Sequence, residues 1–248
     1  MIEFKNGTQK KRDMLLSFET SQRNSSVAVG SLAMETHSND LMSESIDTSD
    51  RLVEDVLPAI ERLFTRAGIQ REQVGAVALN AGPGGFTGLR IAHAAAQVIA
   101  ESMSIPIVHI SAAVVAKESA IGSGLVTPKQ TAWIALAAKS DGCWMAKVSH
   151  ETSENNSAED VAVRTIAHWP LKPGEVLIAD EHLPESWRDR AREFNIEIIA
   201  LKPNAAAVLR VARRMLAAHR TIAPEHALVM YPREAEAVRL WRERHGTP

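Results

Sequence analysis

The chain is almost without cysteine: Cys143 is its only one. That excludes an internal disulfide and any cysteine-rich zinc site. Aromatic residues make up 4% of the sequence, with a single tyrosine. The core must therefore rest on Ala, Val, Leu and Ile. The tryptophans Trp133, Trp144, Trp169, Trp187 and Trp241 are too scattered for a base-stacking platform and read as core or interface filling. No apolar run approaches the ~20 residues of a membrane span. The formal net charge is -2, without the positive excess that gripping nucleic acid alone requires. Catalytic motifs are missing too. The nine histidines form neither an H-x-x-x-H nor an H-E-x-x-H pair, and His150-Glu151 meets Glu154 where a second ligand would stand. There is no G-x-S-x-G elbow, and nothing near Cys143 activates its thiol. No catalytic residue and no metal ligand is assigned.

What is present centres on Asn80-Ala81-Gly82-Pro83-Gly84-Gly85-Phe86-Thr87-Gly88-Leu89-Arg90. This stretch joins the apolar run 74–79 to a long Ala-rich helical pattern. Four glycines let backbone pass close to a neighbour, and a helix start presents free N–H groups. It is not a nucleotide fingerprint: no Gly-Lys-Ser/Thr follows, and Gly82, Gly84 and Gly88 miss G-x-G-x-x-G by one residue. A tight strand-to-helix turn, an anion loop and a partner-contact loop all remain open. A positive φ is expected at Gly84, so that Gly84→Val would disrupt the loop. Glu19-Thr20-Ser21 places a carboxylate and two hydroxyls after the first strand, where open α/β sheets bind ligands or where the hydroxyls cap a turn. The cofactor candidates are Glu19, Thr20, Gly84, Gly85 and Thr87.

Along the chain the pattern predicts strands at 14–19 and 26–32, an edge strand within 34–49, a helix over 52–67, a strand at 74–79, a helix over 87–103 and a strand at 105–110. The second half repeats this grammar. A hairpin forms around Ser140-Asp141-Gly142, strands lie near 161–167, 175–179 and 196–201, helices span 184–194 and 204–219, and a last helix runs from about 232 to 244. The reading is α/β, with two related subdomains, each a mixed sheet with helices. The divisions are 1–13 as a disordered polar lead-in without a signal-peptide core, 14–110, 111–222, and 223–248 packing back on the body. A reducing, cytoplasmic location is the expectation. The locally basic C-terminal part, with Lys202, Arg210, Arg213, Arg214, Arg220, Arg233, Arg239, Arg242 and Arg244, reads as a solvated helical face first and a nucleic-acid-facing patch second. The helix over 87–103 stands out. Arg90, His93, Gln97 and Glu101 fill one narrow arc, and nearly all the rest is apolar. Such a helix must be covered on more than one side, by its own domain or by another chain. Ala95→Arg is expected to weaken association and leave the fold intact.

The segments Leu16-Ser17-Phe18-Glu19-Thr20-Ser21, Ser26-Val27-Ala28-Val29, Leu57-Pro58-Ala59-Ile60 and Gly82 to Ile91 resemble the TsaB (YeaZ) family. So, more weakly, do Pro224 and Tyr231-Pro232-Arg233 with Ala235. The match covers roughly 14–110, with element order alone between about 120 and 220. The resemblance implies an actin/Hsp70-like (ASKHA) fold and a non-catalytic partner of TsaD in threonylcarbamoyl modification of the tRNA adenosine next to the anticodon. It implies a helical interface, here Leu52, Val56, Leu63, Ile91, Ala95, Val98 and Ser102, shared by TsaD and by a homodimer of the isolated chain. It also implies a TsaE-like ATPase in the complex, tRNA contact only through the complex, no membrane, no cofactor in the isolated chain, and ATP or ADP at the complex interface. The chain departs from the family at Glu19 (usually Asp), Gly85 (usually Ser), Leu52 (often His) and Ala137-Ala138-Lys139 (Asp-x-Arg). A nucleotide-dependent role rests on those positions; a scaffold role rests on surface shape. The competing readings are a stand-alone phosphotransferase or peptidase-like enzyme of the same superfold, and a homodimer serving another partner.

Overall fold

The computed structural model describes residues 11–33, 41–46, 56–139, 141–231, 241, 244 and 245. Residues 1–10 of the lead-in expected over 1–13, the interface position Leu52 and most of the last helix lie outside these residues.

The first half runs β1 (Met14–Glu19), β2 (Ser26–Ser31), β3 (Leu41–Ser45), α1 (Val56–Ala67), β4 (Val74–Gly82), α2 (Phe86–Met103) and β5 (Ile107–Ser111). Its sheet has the order β3-β2-β1-β4-β5. β1 pairs antiparallel with β2, and β2 with β3, while β4 and β5 continue in parallel. The second half contributes α3 (Ala112–Gly122), β6 (Ala132–Ala137), β7 (Cys143–Val148), α4 (His150–Glu154), β8 (Glu159–Arg164), β9 (Val176–Ala179), α5 (Glu185–Glu193), β10 (Glu197–Ala200) and α6 (Ala205–Ala217). Its sheet, read from β8, has the order β8-β7-β6-β9-β10 with the same sequence of antiparallel and parallel pairs. One five-strand pattern thus occurs twice, which is the duplicated actin/Hsp70-like arrangement.

Side-chain alternation along β1 sets the layers. Leu16 and Phe18 face one way and pack with Ala59, Leu63, Ala92 and Ala96 of α1 and α2. Leu15 faces the other way, with Ala28, Ala76 and Ala78, against Val208, Leu209 and Ala212 of α6. Alanines on that face let α6 approach closely, and the Ser17 hydroxyl donates to the Ala205 carbonyl at 2.9 Å. Residues 205–217 belong to 111–222 by chain order, yet α6 covers the first sheet. α3 lies between the halves. Its Val114 and Val115 pack toward the first sheet, and Ala113, Ala116 and Ala120 toward the second.

A helix buried on both sides must neutralise any charge it carries. Lys117 of α3 donates to the carbonyls of Pro128, Val148 and Ser149 at 3.3, 3.2 and 3.1 Å. Glu118 accepts from Arg210 and Arg214 of α6, both at 2.8 Å. Arg213 donates to the Ser31 carbonyl at 2.7 Å. The expected solvated arginine face of α6 is corrected accordingly: these three arginines are half-buried and lash α6 to its neighbours. The pattern that suggested solvation recorded charge but not the facing acid ninety residues earlier.

Candidate functional site

Two places carry the residues singled out by sequence: the cleft between the subdomains and the outer face of α1 and α2. The cleft has a volume of about 730 Å³, with Thr20, Ser21, Arg23 and Gly84–Gly88 on one wall and Leu136, Ala137, Ala138, Trp144, Asp180 and His182 on the other. Arg23 of the first wall pairs with Glu181 of the second subdomain, 3.3 Å apart.

Glu19 does not face this space. Its carboxylate is fully buried and accepts from the Ser21 N–H at 2.8 Å, the Ser21 hydroxyl at 2.5 Å and the Asn80 amide at 2.7 Å. Asn80 in turn accepts the Gly82 N–H at 2.8 Å. Burial raises the Glu19 pKa, and the bonds from Ser21 and Asn80 pull the other way. The network joins the loop after β1 to the glycine loop. Thr20 strengthens that join, its hydroxyl donating to the Gly88 carbonyl at 2.9 Å. Both side chains are thus occupied in holding the scaffold.

Gly84 also differs from expectation in its reason. The positive φ, 97°, belongs to Gly82. Gly84 is required because a Cβ there would lie 2.6 Å from both the Cβ and the carbonyl oxygen of Ser21. Gly85 caps α2 without a side-chain bond and donates its N–H to Ser21 at 2.8 Å. Thr87 is exposed on the cleft wall. Across the cleft, Ala137, a point of departure from the family, offers only its backbone: its N–H reaches Asp180 at 2.9 Å, and the other Asp180 oxygen accepts from the His182 N–H at 3.1 Å. Cys143 is buried in the second subdomain, and burial pushes its thiol up to about 12. It is protonated at neutral pH.

The second place is α2. Leu89, Ala92, His93, Ala96 and Ala100 are buried, and Ala94, Val98, Glu101 and Ser102 are exposed, with Ile91 and Ala95 half-buried. The polar arc seen in the sequence does not form the outer face. Two of its members, Arg90 and Gln97, turn to the protein's own C-terminal segment 222–231, while Glu101 stays in solvent. Arg90 donates to the Tyr231 hydroxyl at 2.9 Å, and Gln97 to the carbonyls of Pro224 and Ala227 at 3.0 and 3.3 Å. His93 lies against His109 of β5, ring nitrogens 3.1 Å apart. Burial, with the neighbouring His93, lowers His109 to about 4. The sheet, α1 and this segment therefore cover three sides of α2, and the surface left in solvent carries Ala94 and Val98 beside Arg90, Glu101 and Ser102.

Leu57 of α1 is 60% exposed and Val98 of α2 67% exposed. The open groove between the helices is lined by Leu57, Phe64, Ile99 and Met103. Of the seven residues expected at a helical interface, Val98 and Ser102 are on this outer stripe, and Ile91 and Ala95 are at its edge. Val56 and Leu63 are not: at 1% and 0% exposure they belong to the subdomain's own core. Helical periodicity marks the apolar arc of α1 without saying which part meets the sheet. Leu57 belongs to the same arc, yet the expected interface does not include it.

A family model described as TsaD: tRNA N6-adenosine threonylcarbamoyltransferase matches residues 46–168. The tRNA threonylcarbamoyladenosine biosynthesis protein TsaB of Escherichia coli K12 is 25% identical over 212 residues, 77% of this chain and 83% of that one. The protein of the same name from Haemophilus influenzae is 33% identical over 97 residues, 39% of each chain. Among solved structures, YeaZ from Pseudomonas aeruginosa superposes with a TM-score of 0.68 at 22% identity, over 88% of this chain and 99% of that one. Relatives, fold and the glycine-loop block agree: the chain is similar to the TsaB/YeaZ proteins over most of its length.

Proposed function

We propose that this chain serves tRNA threonylcarbamoyladenosine biosynthesis as a non-catalytic docking subunit, and that it holds a TsaD-type partner on the outer face of α1 and α2. The observation that carries the reading is the apolar surface that α1 and α2 leave in solvent. A surface helix of a self-sufficient domain turns its polar side to water. Here His93 and Gln97 of the polar side are taken up by the chain itself, and Val98, Ala94 and Leu57 are left in solvent beside Arg90 and Glu101. An exposed apolar stripe of this kind marks an interaction surface. The same stripe serves a homodimer when the partner is absent.

The cleft supports the same division of labour. Glu19 and Thr20 are occupied within the scaffold, and each Asp180 oxygen already accepts a backbone N–H. In this reading ATP or ADP is held at the interface of the assembled complex rather than by the isolated chain. A TsaE-like ATPase joins that complex, and tRNA is met through it. The test is titration of the purified chain with the TsaD protein of the same organism. A complex at micromolar concentration that Val98→Arg abolishes supports the reading; no complex with the unaltered chain refutes it. Calorimetry of the isolated chain with ATP and magnesium checks the second part, and tight binding would favour the phosphotransferase alternative.

A further inference from the structure

We infer that the C-terminal segment 222–231 is a positioning strap for the docking helix, with Gln97 as its central anchor; this rests on the docking reading above. The strap begins at β5, where Ile107 and Ile222 exchange two backbone hydrogen bonds, 3.1 and 2.8 Å. It then runs along the polar side of α2. The single Gln97 amide bonds two of its carbonyls, Pro224 and Ala227, and Ala227 is buried beside the helix at 1% exposure. Farther on, Met230 donates its N–H to the Ala81 carbonyl at 2.8 Å, and its own oxygen crosses Gly82, where a Cβ would come within 2.7 Å. Tyr231 closes the run by accepting from Arg90, whose guanidinium lies 3.8 Å from the centre of the Phe86 ring. The strap is thus fixed at the glycine loop, at mid-helix and at β5.

The physical consequence concerns α2. Beneath the helix are alanines, Ala92, Ala96 and Ala100, whose smooth surface resists rolling or sliding weakly. Docking needs the stripe on α2 aligned with Leu57 on α1. A helix free to roll must be ordered when the partner binds, and that ordering opposes association. Gln97 supplies directional bonds where packing supplies little direction. An amide NH2 has two protons for two carbonyls, so both are satisfied by one side chain. An isosteric carboxylate has none and would face the same carbonyls with negative charge.

The experiment compares Gln97→Glu, Gln97→Lys and Val98→Arg in the full chain. Two readouts are used: affinity for the TsaD protein of the same organism, and amide hydrogen exchange over 91–103 and 222–231. Gln97→Glu is expected to weaken binding roughly tenfold and to speed exchange in both segments. Gln97→Lys, which again donates to carbonyls, restores both. Val98→Arg abolishes binding and leaves exchange unchanged. If Gln97→Glu binds like the unaltered chain while Val98→Arg does not bind, the strap has no positioning role. A positioning role is equally ruled out if Gln97→Glu weakens binding without faster exchange. If Val98→Arg binds normally, the docking reading itself fails. Should Gln97→Glu not fold, Tyr231→Phe takes its place: a severalfold loss with faster exchange supports the strap, and no change in either readout overturns it.

Discussion

The cleft and the helix face make opposite impressions from the same sequence. The cleft has the shape, the glycines and the carboxylate of a ligand site, yet its polar groups are occupied with one another. Glu19 is held by Ser21 and Asn80, Thr20 by Gly88, Asp180 by Ala137 and His182. The α1–α2 face has no reactive group, yet it leaves apolar surface in water. A concave, polar place can be structural, and a featureless convex one can be functional. What separates them is whether the groups present already have partners.

That contrast can be broken in several ways. The largest effect is expected from Glu19→Ala, which orphans the donors of Ser21 and Asn80 in a fully buried site. A loss of about 3 kcal/mol in unfolding free energy should appear in urea titration. Glu19→Gln, a neutral isostere of a group whose charged form burial disfavours, should lose clearly less. Equal losses from the two would mean that the network contributes only by filling space. Next comes Val98→Arg. It should weaken partner binding at least about a hundredfold in a binding titration, since a charge is buried without a partner. Its unfolding free energy should stay within about 0.5 kcal/mol of the unaltered chain. A folding defect instead would place Val98 inside the core. Ala95→Arg is a poorer probe than sequence suggests, because Ala95 is already packed against that core.

Gly84→Val should cost about 2 kcal/mol by overpacking against Ser21, with Gly84→Ala losing less. Normal stability of the valine variant would show that the Ser21 backbone can give way. Acid should act beneath α2. His109 has its charged form disfavoured, with a pKa near 4 against an ordinary 6.5. The unfolded chain then binds more protons between those values, so stability is complete above about pH 6.5 and falls toward pH 4. For a partly exposed ring the loss is roughly 1–2 kcal/mol. His109→Phe should flatten that portion of the pH profile, and an unaltered slope would assign the proton uptake elsewhere. The smallest effect is expected at Thr87→Ala. This exposed cleft residue should change neither stability nor partner affinity beyond about 0.5 kcal/mol. A clear loss of affinity there would mean that the docking footprint reaches the cleft.

Much of the chain was legible without coordinates. The alternation of β1, the glycine loop, the hairpin from β6 to β7 and the two-fold repetition of element order follow from local periodicity and turn chemistry. The abundance of apolar residues on α2 was equally visible, and it pointed to a covered helix. What remained hidden was the direction of covering. Val56 and Leu63 looked like interface because an amphipathic arc does not name its neighbour. The arginines of α6 looked solvated because Glu118 is remote in sequence. Gly84 was singled out correctly, but for torsional freedom that belongs to Gly82; the close approach of Ser21 comes from a loop more than sixty residues away.

By itself the sequence determined most of the elements, their order, the family resemblance and the supply of an over-apolar helix, because these depend on neighbours a few positions apart. Only the tertiary structure decided which side of that helix is outside. The bonds from Gln97 to Pro224 and Ala227 span 127 and 130 positions. Hydrogen bonds at that separation follow from the path of the folded chain, and local periodicity carries no record of it. The same holds for Glu19, whose chemistry as a carboxylate was plain, and whose role was fixed by the donors that folding brought to it.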